Sequence, residues 1–144
     1  MFNTVVVGAD DSSTARQAVV AAADIAKLTG GTLHIVTAYQ PKSVRTQDLP
    51  EEFRYSAAGT NPAEALLQGL ALIAKERGLK SEIHPATGHP AEVIIRVAER
   101  EKADLIVVGN KGMAGARRVL GSVPNSVAHG AHCSVLIVDT HDAD

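Results

Sequence analysis

One segment decides the fold class of this chain: Leu105-Ile106-Val107-Val108. Four consecutive aliphatic residues are typical of a β-strand that is covered by helices on both faces of its sheet. Outward from this segment, similar apolar runs recur along the chain, and segments with helical spacing separate them. This alternation indicates βα units that build a mostly parallel sheet, so we predict an α/β fold.

The apolar runs and the segments between them predict five strands and four helices. The third strand alternates polar and apolar residues and contains Pro85, which cannot donate a backbone hydrogen bond, so we place it at an open edge. The predicted strands are Thr4 to Val7, Thr32 to Ala38, Ser81 to Ala86, Asp104 to Val108 and Ser134 to Val138. The predicted helices start at Ser12 or Ser13, Asn61, Pro90 and Ser122, and the first two stop at Gly30-Gly31 and Gly78. Gln40 to Thr60 has no clean period and is predicted to be a lid-like loop, with a helical turn near Leu49 to Tyr55.

Length and charge exclude several functional classes. The chain has 144 residues, of which 45% are hydrophobic, and this is the size of one domain over residues 1–144. Its net charge of −2 and its pI of about 6.3 provide no global field that attracts nucleic acid or an anionic membrane. No apolar run approaches the roughly 20 residues of a membrane span, and no leader-like segment precedes the first strand. Together with the single cysteine, Cys133, these features predict a cytoplasmic protein.

The segments that follow each strand are the candidates for a ligand site, because an open parallel sheet binds ligands beyond the carboxyl ends of its strands. Asp10 follows the first strand, where its carboxylate can accept hydrogen bonds from ribose hydroxyls or hold a hydrated Mg²⁺. In the alternative interpretation, Asp10 and Asp11 only favour the dipole of the next helix.

The densest signal is the stretch Gly109 to Ser122, which follows the fourth strand. Its glycines let backbone amides approach phosphate oxygens, Gly121-Ser122 presents free amides at a helix start, and Lys111, Arg117 and Arg118 offset charge. A glycine-rich surface loop with solvated basic residues is the alternative. The stretch is neither a Walker A loop nor a GxGxxG fingerprint, and no GxSxG elbow occurs, so we predict no catalytic residues.

Several segments together resemble the universal stress protein (UspA-like) family across nearly the whole chain. They are Val5 to Ser12, Gly88-His89-Pro90, Ala103 to Gly109, and Gly109 to Ser122 followed by Val123-Pro124-Asn125-Ser126-Val127. The resemblance implies one open five-stranded parallel sheet of order 3-2-1-4-5 with helices on both faces, which is a Rossmann-like, adenine nucleotide alpha hydrolase-like fold. The stretch between Gly112 and Gly121 is one residue shorter than the family pattern.

The resemblance also implies which residues contact a nucleotide. It assigns Asp10, Gly109, Gly112, Gly121 and Ser122 to contacts, with the adenine near Ala38-Tyr39 and Val107. The full set of predicted contacts is Gly8, Ala9, Asp10, Ala38, Tyr39, Val107, Gly109, Asn110, Lys111, Gly112, Arg118, Gly121, Ser122 and Val123. Asp10 is also the candidate Mg²⁺ ligand.

These observations predict a universal stress protein that binds an adenine nucleotide, with ATP as the first candidate and cyclic AMP as the second. The alternatives are a slow Mg²⁺-dependent ATP hydrolase and a nucleotide-free interaction module. The last strand, Ser134 to Val138, is wholly apolar from Val135 to Val138 and becomes a sheet edge in the family topology, so it predicts a homodimer.

Histidine positions give weaker signals. His129, His132 and Cys133 lack a recognised zinc spacing and are predicted not to bind metal. His34 interrupts an apolar strand and is predicted to be a hydrogen-bonded residue. His84 and His89 are expected to flank the binding edge.

Overall fold

The computed structural model of the protein describes residues 1–9, 15–39, 62–110 and 121–140. The strands in these ranges are β1 (Thr4–Gly8), β2 (Thr32–Tyr39), β3 (Ser81–Thr87), β4 (Leu105–Gly109) and β5 (Ser134–Val138). The helices are α1 (Ala15–Thr29), α2 (Pro62–Glu76), α3 (Pro90–Arg100) and α4 (Ser122–Gly130). The predicted capping residues Ser12, Ser13 and Asn61 and the predicted loop of residues 40–60 lie outside the described residues. No helix in the described part of the chain is both long enough and apolar enough to cross a membrane.

All five strands form one parallel sheet in the order β3-β2-β1-β4-β5. The α/β class, the parallel sheet and the strand order are therefore confirmed. The chain adds β2 and β3 on one side of β1 and then returns to add β4 and β5 on the other. This reversal creates a crevice between β1 and β4 at the carboxyl ends of the strands.

The sheet is covered on both faces by apolar side chains. Val5 and Val7 of β1 face α1 and α2, whereas Val6 faces α3 and α4, and all three are fully buried. Because successive side chains of a strand point to opposite faces, a wholly aliphatic run is the pattern that two covered faces require. Burial of one such valine stabilises the fold by roughly 1.5–3 kcal/mol.

Three helices end in the same backbone motif. After α1, the amide of Gly31 donates to Ala26 and the amide of Gly30, at φ +71, donates to Lys27. The end of α2 repeats these two bonds, with Gly78 in the left-handed conformation, so both predicted glycine stops are confirmed. The end of α3 places Lys102 in this position with φ 56, and that residue was not anticipated.

Five of the ten strand boundaries differ from the predictions by one residue, and the other five agree. The start of β4 moves from Asp104 to Leu105, and the Asp104 carboxylate accepts hydrogen bonds from the amides of Asn3 (2.9 Å) and Thr4 (3.0 Å). β1, β2, β3 and β4 each extend one residue further at their carboxyl ends. The carboxyl ends are where the candidate site lies, so the extra residues bring ordered backbone closer to it.

The edge position predicted for the third strand is confirmed, since β3 lies at the end of the sheet. His34 is also hydrogen-bonded as predicted, because its Nδ1 lies 2.9 Å from Nε2 of His84. His84 lies within β3, as the predicted strand bounds require, where it is paired with Val36 of β2 and contacts His34. Its expected place beside the binding edge stays a prediction. Burial lowers the pKa of His84, and the charges of His34 and Arg100 lower it further against the opposing effect of Glu101 and Glu82.

Candidate functional site

The crevice is formed by the residues that follow β1 and β4, which are neighbours in the sheet. Val7 of β1 is paired with Val107 of β4, so Gly8-Ala9 and Gly109-Asn110 leave the sheet side by side. The structure therefore brings together the ends of the two predicted binding segments. Asp10, Lys111, Gly112 and Arg118 lie outside the described residues, and their roles stay predictions.

Gly8 is a glycine because α3 approaches the backbone closely at this point. A Cβ atom on Gly8 would overlap with the Cδ1 atom of Ile94. The sequence identified Gly8 as a candidate ligand contact. The structure shows in addition that the packing of α3 leaves no room for a side chain at this position. Close packing here holds the start of α3 against the end of β1.

Ala9 is bound to β2 through both of its backbone groups. Its amide donates to the carbonyl of Val36 (2.9 Å), and its carbonyl accepts from Oγ1 of Thr37 (2.6 Å). Thr37 is buried and was missed in the sequence analysis, although a threonine among aliphatic strand residues is a visible signal. The Ala9 amide is therefore engaged within the protein, and Ala9 can offer a ligand only van der Waals contact or its carbonyl oxygen.

Asn110 connects the end of β4 to the residues that follow β5. Its amide donates to Val138 (3.0 Å), and its Oδ1 accepts from both the amide (2.8 Å) and the hydroxyl (3.0 Å) of Thr140. Its Nδ2 donates to Asp139 (3.2 Å), and the side chain is buried. These bonds give Asn110 a positioning role at the base of the glycine loop, and direct contact between Asn110 and a nucleotide stays a prediction.

The start of α4 provides backbone donors on the carboxyl side of the sheet. Because β4 ends on that side and β5 begins on the opposite side, the connecting helix must start near the crevice. Gly121 is the N-cap, with φ −61 and ψ 161, and within the described residues no side chain caps it. The amides of Ser122 and Val123 lie in the first turn, where an α-helix leaves its donors without internal partners. An anion at this end would accept from these donors and interact favourably with the helix dipole.

The structure does not bring together all residues predicted to surround the adenine. Val107 is fully buried among the side chains that face α1 and α2, whereas Ala38 packs on the side of α3 and α4. Val107 can therefore contact a ligand only through its backbone. Val123 is half-buried on the same side as Ala38, and Tyr39 is the last residue of β2.

The family model for the universal stress protein family matches residues 1–139. The chain belongs to the universal stress protein family. It is 40% identical over 143 residues to universal stress protein Rv1636 of Mycobacterium tuberculosis, a match that covers 96% of this chain and 97% of the relative. It is 33% identical over 147 residues to universal stress protein YxiE of Bacillus subtilis, covering 96% and 99%. The resemblance recognised in the sequence is thus confirmed over almost the full length.

Solved structures of the family agree with the fold. A universal stress protein in complex with cAMP is 36% identical, covers 96% of this chain and 98% of its own, and has a TM-score of 0.76. A universal stress protein of Archaeoglobus fulgidus in complex with dAMP is 23% identical, with a TM-score of 0.68 and coverage of 95% and 98%. The second structure is evidence for the Rossmann-like fold alone. Some members of the family with this architecture therefore hold adenine nucleotides.

Proposed function

We propose that this universal stress protein binds an adenine nucleotide at the crevice between β1 and β4, with ATP as the first candidate and cAMP as the second. The observation that supports this most is that Gly8-Ala9 and Gly109-Asn110 leave the sheet side by side, at the edge where the topology also places the uncapped start of α4. Such an edge offers backbone donors and a helix dipole to a phosphate group. The 36% identical relative that was solved with cAMP adds support.

The proposed roles follow from position. The amides of Ser122 and Val123 bind phosphate oxygens, since Pro124, the next residue, has no amide to offer. The half-buried side chain of Ala38, at the end of β2, provides an apolar surface for the adenine. Asp10 binds the ribose or a Mg²⁺ ion, and Lys111, Gly112 and Arg118 complete the phosphate site.

A substitution at Ser122 tests the phosphate role of α4. Proline suits the first helical position, and the extended backbone of Gly121 accepts a following proline, so Ser122→Pro should keep the helix and delete one amide donor. Ser122→Ala is the matched control, because it removes only the hydroxyl. A hydrogen bond to a charged group is worth about 1.5–3 kcal/mol, so we expect Ser122→Pro to weaken binding by about tenfold or more.

The measurement is isothermal titration of the purified protein with ATP and with cAMP. Mass spectrometry of small molecules released on denaturation identifies any nucleotide that is purified with the protein. Equal affinity in wild type and Ser122→Pro would exclude the start of α4 as the phosphate site. If the wild type binds neither nucleotide and releases none, the proposed function is wrong and a nucleotide-free interaction module remains.

We also propose that β5 forms the interface of a homodimer. Among the residues that the structure describes, β5 pairs only with β4 and lies at the edge of the sheet, and Leu136 in its centre is 37% exposed. An apolar strand at an edge favours pairing with another chain. Leu136→Lys should shift the protein to a monomer in analytical ultracentrifugation, whereas Leu28→Lys, at a position that is 87% exposed on α1, should not. A wild-type monomer would contradict the interface.

The proposed compartment is the cytoplasm, where a single free thiol stays reduced. Fractionation of the native host followed by detection of the protein tests this. Recovery in a membrane or secreted fraction would contradict it.

A further inference from the structure

A second group of functional side chains lies away from the crevice, on the sheet face that is covered by α3. His34 of β2 is paired in register with Glu82 of β3, and His84 follows on the same side of β3. Glu101 follows the last residue of α3. We call these four residues the two-histidine cluster. Since α3 runs opposite to the strands, Glu101 lies towards their amino ends, and His34 is paired with Val6 of β1, two residues before Gly8. The cluster therefore lies on the covered face of the sheet, separate from the loops that form the proposed nucleotide site.

The ligand atoms of the cluster already lie at distances suited to one metal ion. All four residues offer a nitrogen or oxygen atom within 4.8 Å of the others. His34 Nδ1 lies 2.9 Å from His84 Nε2 and 3.4 Å from Glu82 Oε2, and His84 Nε2 lies 3.9 Å from the same oxygen. Tetrahedral zinc with bonds of about 2.0–2.2 Å places its ligand atoms about 3.3–3.6 Å apart. Shifts of about half an ångström would bring the two imidazole nitrogens and the Glu82 oxygen to that spacing.

The donor types and their burial favour zinc over harder cations. Two imidazoles with carboxylates form a set that Zn²⁺ binds well, whereas Mg²⁺ and Ca²⁺ select oxygen ligands. The histidine side chains are only 9% and 14% exposed, while that of Glu82 is 69% exposed. The imidazoles are thus held by the sheet, and the carboxylate can move to meet an ion. We propose that the two-histidine cluster binds one Zn²⁺ ion, with His34 Nδ1, His84 Nε2 and the carboxylates of Glu82 and Glu101 as ligands.

Arg100 competes with this metal ion. Its Nη2 lies 3.0 Å from Nδ1 of His84, and a guanidinium can only donate, so His84 carries its proton on Nε2 and donates to His34. Zinc needs the lone pair of Nε2, which requires the proton to move to Nδ1 and Arg100 to release the ring. Arg100 is exposed and has room to swing into solvent. Removing its guanidinium should therefore tighten zinc binding.

The test uses tag-free full-length protein without nucleotide and Co²⁺ as a spectroscopic probe, followed by displacement with Zn²⁺. We expect one Co²⁺ per chain with the visible absorption bands of a tetrahedral site, loss of the bands on adding Zn²⁺, and no displacement by excess Mg²⁺. Glu82→Gln, at an exposed position, should weaken binding by about tenfold or more, and His84→Asn should abolish it. Arg100→Gln, whose amide oxygen can accept from the Nδ1 proton of His84, should bind more tightly than wild type.

His132→Ala is the control, because His132 is an exposed histidine that contacts Glu99 rather than the cluster. It should bind Co²⁺ as the wild type does, and circular dichroism should show that each variant is folded. Absence of tetrahedral bands in folded wild-type protein, with no rise in Tm on adding Zn²⁺, would overturn the proposal. Full binding by folded Glu82→Gln and His84→Asn, or loss of binding in His132→Ala, would also overturn it.

Discussion

Asp104 and Thr4 are joined by two hydrogen bonds that run in opposite directions. The amide of Asp104 donates to the carbonyl of Thr4 (3.0 Å), and the carboxylate of Asp104 accepts from the amide of Thr4 (3.0 Å). The same carboxylate accepts from the amide of Asn3 (2.9 Å). These bonds join the amino ends of β1 and β4, which are the two strands that flank the proposed nucleotide site at their other ends.

Because of these bonds, we expect the stability of the protein to depend on pH through Asp104. Burial acts to raise the pKa of Asp104, but hydrogen bonds from the amides of Asn3, Thr4, Asp104 itself and Phe2 outweigh it and lower the pKa. A carboxyl whose pKa is lower in the folded state stabilises the fold above its unfolded pKa of about 3.9 and loses that effect as the pH falls through the folded value. The free energy of unfolding of Asp104→Asn should be lower than that of wild type at neutral pH, and the difference should shrink in acid. Urea unfolding of both proteins at a series of pH values measures this difference. A difference in the free energy of unfolding that does not change with pH would contradict the prediction.

Cys133 should react slowly with alkylating reagents. Burial raises the pKa of its thiol, and the negative charge of Asp104 raises it further. Since the thiolate is the nucleophile, the rate with iodoacetamide near neutral pH should be below that of a model peptide thiol. Asp104→Asn should recover part of the rate, because it removes the smaller of the two effects. Cys133 is the only cysteine, so the measured rate belongs to one residue. The urea-unfolded protein is the control, and a folded rate equal to the unfolded rate would contradict the prediction.

Lys102→Gly should stabilise the protein. Lys102 has φ 56 in the position that Gly30 and Gly78 take at the ends of α1 and α2, and glycine adopts this conformation without the steric cost of a Cβ. The gain should be about 0.5–1 kcal/mol, after the larger entropy of glycine in the unfolded chain is subtracted. Gly78→Ala is the matched control, since a Cβ there would meet no atom within 4 Å and its cost is conformational alone. Thermal unfolding measures both, and they should change Tm in opposite directions.

Gly8→Ala should destabilise the protein by about 1–3 kcal/mol, because the added methyl overlaps with the side chain of Ile94. Ile94→Val removes the Cδ1 atom that makes the closest of these contacts. The double variant Gly8→Ala/Ile94→Val should therefore be more stable than the sum of the two single changes predicts. Denaturant unfolding of the wild type, the two single variants and the double variant measures this double-mutant cycle. If the changes in the free energy of unfolding are additive, the contact with Ile94 is not the reason that position 8 requires glycine.

The sequence predicted the features that depend on short stretches of chain. Aliphatic runs identified the strands, helical spacing identified the helices, and Gly30 and Gly78 marked two helix ends, because periodicity and turn chemistry act between near neighbours. Pro85 and the alternation around it placed β3 at an edge for the same reason. The strand order came from the family resemblance, and the confirmed sheet agrees with it.

Only the tertiary structure decided which side chains meet. His34 and His84 are 50 residues apart, and they face each other because β2 and β3 pair in one particular register. A shift of that register by one residue would turn one of the two to the opposite face, so no local pattern could predict the cluster. Asn110 is 30 residues from Thr140, and its buried bonds give it a positioning role, while its contact with a nucleotide stays a prediction. Local chemistry determined the elements of this protein, and the pairing of distant strands determined which side chains lie together.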